Sequence, residues 1–266
     1  MPTPARAPFA PGQDSNGSKA SSAAPSQQQY SPEEVASQAK DLQEEVLRLQ
    51  HDVRNSEFFR NFKTVFLGVE EPVAEAESRE GSSTSGRPFE QDRWHWSSVK
   101  QLVSYGLGSP RKSVASRYQL GFALLLAELL PGLTEPLSTY DPAFDDVDKA
   151  LLSNLGVAVH ATDEQCARVA HEPTLFYMPH CITAGYGNLL RANASCLNRV
   201  AIFGNSFLGY RVAWKIGRSE REEIQEILEL MEEGRVRESA IDERDMEGIS
   251  DRAFYRHSLH LFRSSR

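Results

Sequence analysis

A chain of 266 residues has room for one domain of ordinary size with tails, or for two small ones. Apolar residues make up 40%, a little below the globular average, so part of the length is expected to lie outside a packed core. The formal net charge of -8 argues against nucleic-acid phosphate and anionic membrane surfaces as partners, since the short end Arg263-Ser264-Ser265-Arg266 is too small a basic patch to offset it.

Three cysteines, Cys166, Cys181 and Cys196, form no CxxC pair and no disulfide framework, which fits a reduced, cytoplasmic or also nuclear setting. The N-terminus lacks an apolar signal region; its acid-poor, Ser- and Ala-containing start with Arg6 gives only a weak transit-peptide pattern. The longest apolar stretch, around Leu120 to Leu130, is shorter than a membrane span and is broken by Glu128.

Residues 1–30, rich in Pro, Ser, Ala and Gln, have too few large apolar side chains to offset the entropy of ordering and read as a disordered tail. Order starts at Ser31-Pro32-Glu33-Glu34, a capping serine with proline at the first helical position. Val35, Ala39, Leu42, Val46, Leu49 and Val53 then form one stripe of an amphipathic helix spanning 31–68; after Ser56 breaks the stripe come Phe58, Phe59, Phe62 and Phe66. The seam is short for a coiled-coil dimer, which favours docking on the chain's own domain. This arm is also where a protein partner is expected. Residues 69–93 read as a flexible linker.

From Trp94 short apolar runs alternate with helical patterns, and 94–216 reads as the α/β core. Strands are predicted at Val99–Tyr105, Leu137–Tyr140, Val157–His160, Leu175–Met178 and Val200–Phe203. Helices are predicted at about Ser113–Leu130, at Asp145–Leu155 with Gly156 as its C-terminal cap, and through Tyr186, Leu189 and Leu190. Residues 217–266 hold an acidic helix, about Ser219–Glu233, and an edge strand at Ser258–Phe262. The fold expected is α/β and Rossmann-like: a mainly parallel sheet of about five to seven strands, helices on both faces, and an N-terminal helical arm.

In such a sheet ligands bind outside the carboxyl ends of the strands. The predicted strand ends carry Gly106, Gly108 and Ser109, then Asp141, then His180, then Asn205 and Ser206, and these form a candidate cofactor-binding rim for an adenosyl or nucleotide small molecule. The glycines permit a tight turn and close approach, Ser109 can cap the next helix, and Asp141 stands where a carboxylate can hold a ribose. His180 is a candidate base and Asn205 a candidate amide. The fingerprint is incomplete: Arg111 stands at the third glycine position, and Asp141 follows Gly108 by 33 residues where roughly 20 is usual. A nicotinamide site is therefore disfavoured, and the cofactor's identity stays open between looser adenosylmethionine patterns and none. Ser109, Asp141 and His180 lack a nucleophile-elbow pattern. His257 and His260 would point to opposite strand faces, so no metal site is expected, and Asn193-Ala194-Ser195 is a sequon of no use in a cytoplasmic chain. No catalytic constellation emerges.

The same strand-end turns carry a resemblance. Tyr105-Gly106-Leu107-Gly108-Ser109, Gln119, and Tyr140, Asp141, Pro142 and Phe144 resemble the Sensitivity-to-Red-light-Reduced (SRR-like) domain family. So do Leu155-Gly156-Val157, the run Pro173 to Cys181, Tyr186 with Asn188-Leu189-Leu190, and Ile202 to Phe207. Ser258 to Phe262 is similar to the family's closing motif, although Tyr255-Arg256 stands where the family usually has an Asn-Asp pair. The resemblance implies regulation more than chemistry: light signalling and the circadian clock in plant members, clock gene expression and haem biosynthesis in animal members, microtubule-related phenotypes in the yeast relative. No settled activity accompanies it. A methyltransferase-like enzyme binding adenosylmethionine or a nucleotide is the alternative, and His180-Cys181 supplies the side chains for a third reading, haem ligation.

Overall fold

A computed structural model describes residues 30–68, 94–218, 221–241 and 253–263. The tail, apart from Tyr30, and the linker expected at 69–93 lie outside the described residues.

Helix α1 (Pro32–Asn55) opens with the capping box read from the sequence: Glu34 N–H donates to Ser31 Oγ at 3.2 Å, and Ser31 N–H donates to the Glu34 carboxylate at 2.8 Å. Ser56 ends it. Its hydroxyl donates to Val53 O at 2.6 Å and accepts from Phe59 N–H at 3.1 Å, closing one helix and capping the next. The single helix expected over 31–68 is therefore two, α1 and α2 (Glu57–Gly68). Ala39, Val46, Leu49 and Val53 are buried, and α1 lies on the helices α3 (Val114–Glu128) and α4 (Asp146–Asn154). Docking on the chain's own domain is what the stripe does.

The remaining elements in chain order are strand β1 (Gln101–Tyr105) before α3, β2 (Ser138–Tyr140) before α4, then β3 (Ala158–Val159) and β4 (Thr174–Met178). They continue with α5 (Thr183–Ala192), β5 (Val200–Asn205), α6 (Phe207–Lys215), α7 (Gln225–Glu232), β6 (Val236–Ala240) and β7 (His257–Phe262). Among the described residues the sheet has seven strands in the order β3-β2-β1-β4-β5-β7-β6. The first five in that order run parallel, and β7 is antiparallel to both β5 and β6. This is the mainly parallel α/β sheet expected.

Alternation along the strands builds a core on each face. Leu175, Tyr177 and Phe203 pack with Phe58, Phe62 and Phe122 under α1, α2 and α3, while Phe176, Met178 and Ile202 pack with Tyr186, Phe207 and Ile227 under α5, α6 and α7. Phe62 sits 4.9 Å from Phe122 and 5.0 Å from Phe203, centroid to centroid. Gly156, with φ +71°, follows the end of α4 as its sequence position implied.

Three expectations change. The closing strand is not an edge: β7 lies between β5 and β6, and five of its six residues are buried. The edge on that side is β6, a strand not foreseen, whose Arg237 and Glu238 suit it to that position. The acidic helix starts late, as a 3-10 turn at Glu222–Ile224 leading into α7, and α6 precedes it unforeseen; residues 219 and 220 lie outside the described residues.

Candidate functional site

On one side of β1 the chain runs on to β2 and β3, on the other to β4 and β5, so the topological switch point falls between β1 and β4. The loops after these two strands are in contact. Gly106 and Gly108 have φ of +72° and +66°, the left-handed region open to glycine. A Cβ on Gly106 would lie 2.9 Å from both the backbone N and the Sγ of Cys181, and one on Gly108 would lie 2.9 Å from Ser116 Oγ. The close approach that glycine permits is here an approach of protein to protein.

The turn after β1 is lined with carboxylates. Gly108 N–H donates to Asp141 at 2.8 Å, and the other Asp141 oxygen accepts from Ala143 N–H at 2.8 Å. Arg111 N–H donates to Asp148 at 2.9 Å, and the Arg111 guanidinium holds Asp145 at 2.7 Å. Burial works against the Asp145 carboxylate, but Arg111, the Asp148 N–H and Lys112 outweigh it, so its pKa lies below the usual value. Ser109 does not cap α3; its hydroxyl accepts from Lys112 N–H at 3.3 Å within the turn, and Ser113 is the cap, accepting from Ser116 N–H at 3.3 Å. The helix starts where its spacing placed it, and the cap is Ser113 in place of Ser109.

His180 is exposed at the end of β4. Gln119 on α3 donates from Nε2 to His180 Nε2 at 2.7 Å and to Ala253 O at 2.7 Å. An amide nitrogen can only donate, so the His180 ring is held neutral with its proton on Nδ1. Partial desolvation lowers its pKa, against the pull of Asp141. Asn205 donates from Nδ2 to Cys181 O at 3.1 Å and to the Tyr210 hydroxyl at 2.8 Å. Ser206 donates to Glu238 at 2.6 Å and caps α6 by accepting from Gly209 N–H at 3.0 Å; Glu238 also accepts from Leu208 N–H at 2.8 Å. The positive end of α6 is thereby already matched to a carboxylate.

The candidate residues divide between two cavities. One, of about 610 Å³, is lined by His180, Asn205, Ser206, Tyr210, Tyr255 and Arg256 at the ends of β4 and β5. The other, of about 640 Å³, is lined by Tyr140, Asp141, Phe144, Lys149 and His160 at the ends of β2 and β3. Gly106, Gly108 and Ser109 line neither. His180 faces the first cavity while the neighbouring Cys181 thiol lies against Gly106, so the two are not presented together as haem ligands would be.

Sequence reasoning missed the segment 161–170. Tyr105 donates to Glu164 at 2.5 Å, Arg168 grips the same carboxylate with Nε at 2.9 Å and a terminal nitrogen at 2.8 Å, and that nitrogen lies 3.1 Å from His160 Nδ1. Arg168 and Tyr105 hold the Glu164 pKa down against burial, whereas burial and Glu164 push the Tyr105 phenol well above its ordinary value. Tyr105 belongs to the family pattern, but nothing in that pattern points to a partner 59 residues away. Asn193 of the sequon is buried and clamps the far end of the segment, accepting from Ala170 N–H at 2.7 Å and donating to Arg168 O at 2.8 Å. Among the described residues no group of three or more His, Cys, Asp or Glu is placed to hold a metal ion, and no helix is long and apolar enough to cross a membrane.

Comparison with known proteins bears on this arrangement. Over 112 residues, 41% of both chains, the sequence is 38% identical to Protein SENSITIVITY TO RED LIGHT REDUCED 1 of Arabidopsis thaliana. It is 44% identical over 112 residues to the SRR1-like protein of Mus musculus, covering 41% of this chain and 45% of that one. The matched region thus spans less than half the length of each curated relative. Among solved structures, the crystal structure of 23S rRNA methyltransferase ErmE aligns over 62% of each chain at 15% identity with a TM-score of 0.33. The family model of the SRR1 domain matches residues 77–261, from before β1 almost to the end of β7. The chain belongs to the SRR1 domain family.

Proposed function

We propose that this chain is a regulatory protein whose α/β domain recognises a partner or small ligand and does not itself complete a reaction. One observation carries the reading: the side chains best suited to chemistry at the rim already have protein partners. Asp141 holds two loop amides, His180 Nε2 is met by Gln119, and the Ser206 hydroxyl is held by Glu238. A base must have its atom free for the proton it takes, and these bonds engage the Asp141 oxygens and His180 Nε2, while Ser206 Oγ is held as a helix cap between Glu238 and Gly209 N–H. Light- or clock-linked regulation, or regulation of haem biosynthesis, is the process we propose, in line with the family resemblance and, for light, with the name of the Arabidopsis relative.

A protein partner at the N-terminal arm would meet its outer face, where Lys40, Glu44, Leu47 and Arg48 are exposed, because the apolar stripe is buried. Deleting 31–68 would strip Phe58, Phe62 and Phe66 from the core, so the arm is tested with Leu47→Asp combined with Arg48→Glu.

A second reading is favoured by the carboxylates around the β1 turn. Asp141 is the one of them that lines the second cavity, where Lys149 also stands, and an adenosyl sulfonium would pair with Asp141 there. Both readings are tested by a thermal-shift panel with adenosylmethionine, its demethylated product, nucleotides and haem, together with an assay for conversion of adenosylmethionine to that product. The regulatory reading expects no conversion above a protein-free control. Conversion that Asp141→Ala abolishes would overturn it, and saturable stabilisation by nucleotides alone would overturn the adenosyl reading.

A further inference from the structure

Cys166 and Cys181 come from different segments, one from 161–170 and the other from the loop after β4, and they meet at the switch point. Both converge on Gly185 in the first turn of α5. A Cβ there would lie 3.2 Å from Cys166 Sγ, 3.8 Å from Cys166 Cβ and 3.6 Å from Cys181 Cβ. On the opposite side, the Cys181 sulfur rests against Gly106. Two glycines leave the space that the pair fills, and both cysteines are free thiols.

The pair is asymmetric. Cys166 is partly exposed and Cys181 is buried. Cys166 and Gln165 are both in the left-handed region, at φ +59° and +50°, a conformation unusual for residues with a Cβ. The turn is fastened on either side: Gln165 N–H donates to Asp163 at 2.7 Å, and Asn188 on α5 donates to Gln165 O at 2.9 Å. The contact with Cys181 is the main influence lowering the Cys166 pKa, with burial opposing it; the same contact, then burial, pushes Cys181 up. Cys196 is an internal comparison, partly exposed but set against the carbonyls of Asn193 and Ala170 at 3.5 and 3.8 Å.

We propose that Cys166 and Cys181 are a hydroperoxide-responsive thiol pair that closes to a disulfide at the switch point of the sheet. The Cys166 thiolate attacks one oxygen of the peroxide; the O–O bond breaks, leaving a sulfenic acid on Cys166 and, with a proton, one water. Cys181 gives up its proton and attacks Cys166 Sγ, and the S–O bond breaks to release the second water. Two thiols and one hydrogen peroxide become one disulfide and two waters. The product ties segment 161–170 to the loop after β4, beside Gly185 and Gly106. This site is distinct from the rim reading and does not depend on it.

The test treats the full-length reduced chain with hydrogen peroxide, counts thiols and maps peptides by mass. The expected result is loss of two of the three thiols, a mass lower by about 2 Da, a Cys166–Cys181 peptide and recovery with dithiothreitol. Cys181→Ala should leave Cys166 as a sulfenic acid that dimedone traps, and Cys196→Ala should leave the rate unchanged. Reaction of all three thiols at one common rate, or a disulfide containing Cys196, would overturn the proposal. The wild-type mapping decides the matter even where a variant fails to fold.

Discussion

One methyl group added at Gly106 meets two obstacles, a left-handed φ and the backbone of Cys181 at 2.9 Å. At Gly156 the φ is +71° but nothing lies within 4 Å of the new carbon. Gly156→Ala should therefore cost only the conformational penalty of about 1 kcal/mol, and Gly106→Ala about 2–4 kcal/mol, read as urea midpoints. Equal costs would show that the loop after β4 yields easily. His257 and His260 are the other residues with sharp expectations. Burial lowers each to about 4, even though Glu238, 3.8 Å from His260 Nε2, pulls the latter upward. The unfolded rings take up protons first, near 6.5, so their contribution is complete above that pH and is lost as pH falls toward 4. The melting temperature should drop between pH 7 and pH 5, and His257→Leu should make the drop shallower; a flat profile would contradict the burial argument. The rim positions were legible as strand ends, but their partners were not. Gln119 and Glu238 lie 61 and 32 residues from the side chains they hold, and only the tertiary fold brings them there.

Helix α2 shows how elements divide the work of stability. Phe62 is fully buried among Phe66, Phe122 and Phe203, so Phe62→Ala should destabilise the whole domain by about 3–5 kcal/mol. The Arg54–Glu128 ion pair between α1 and α3 is short, at 2.6 Å, yet both side chains are nearly half exposed, so Glu128→Gln should cost under about 1 kcal/mol. Denaturant curves of the two variants would separate core packing from surface charge. Strands β4 and β5 were readable because strands buried on both faces leave nearly uninterrupted apolar runs, whereas β2 and β3, short and only partly buried, were marked by their place between helices. Strand β6 left little trace, with Val236 its one large apolar residue. Helix α6 was hidden for another reason: Leu208, Val212 and Ile216 face outward, and of the residues in the helix only Phe207 is fully buried. Where packing leaves an apolar stripe exposed, hydrophobic spacing loses its meaning as a guide to the core.

At the scale of the molecule, one hydrophobic cluster draws on residues from Ala39 in α1 to Leu259 in β7. The arm and the sheet should then unfold together. Fluorescence, to which Trp96 stacked on Phe66 and Trp94 beside Trp96 contribute, and far-UV circular dichroism should give coincident transitions; a separate early loss of helix would show that the arm is only loosely attached. The alternation of strands and helices made the parallel sheet legible, while the order of its last two strands depended on a pairing that no local pattern encodes. That pairing has a consequence for biosynthesis. Strand β7 comes last in chain order yet fills an interior place, so a nascent chain that has already made β5 and β6 leaves both without their shared neighbour until residues 257–262 leave the ribosome. Ribosome stalling or a premature stop just upstream of His257 would expose two unpaired strand margins, marking such fragments for chaperones or aggregation.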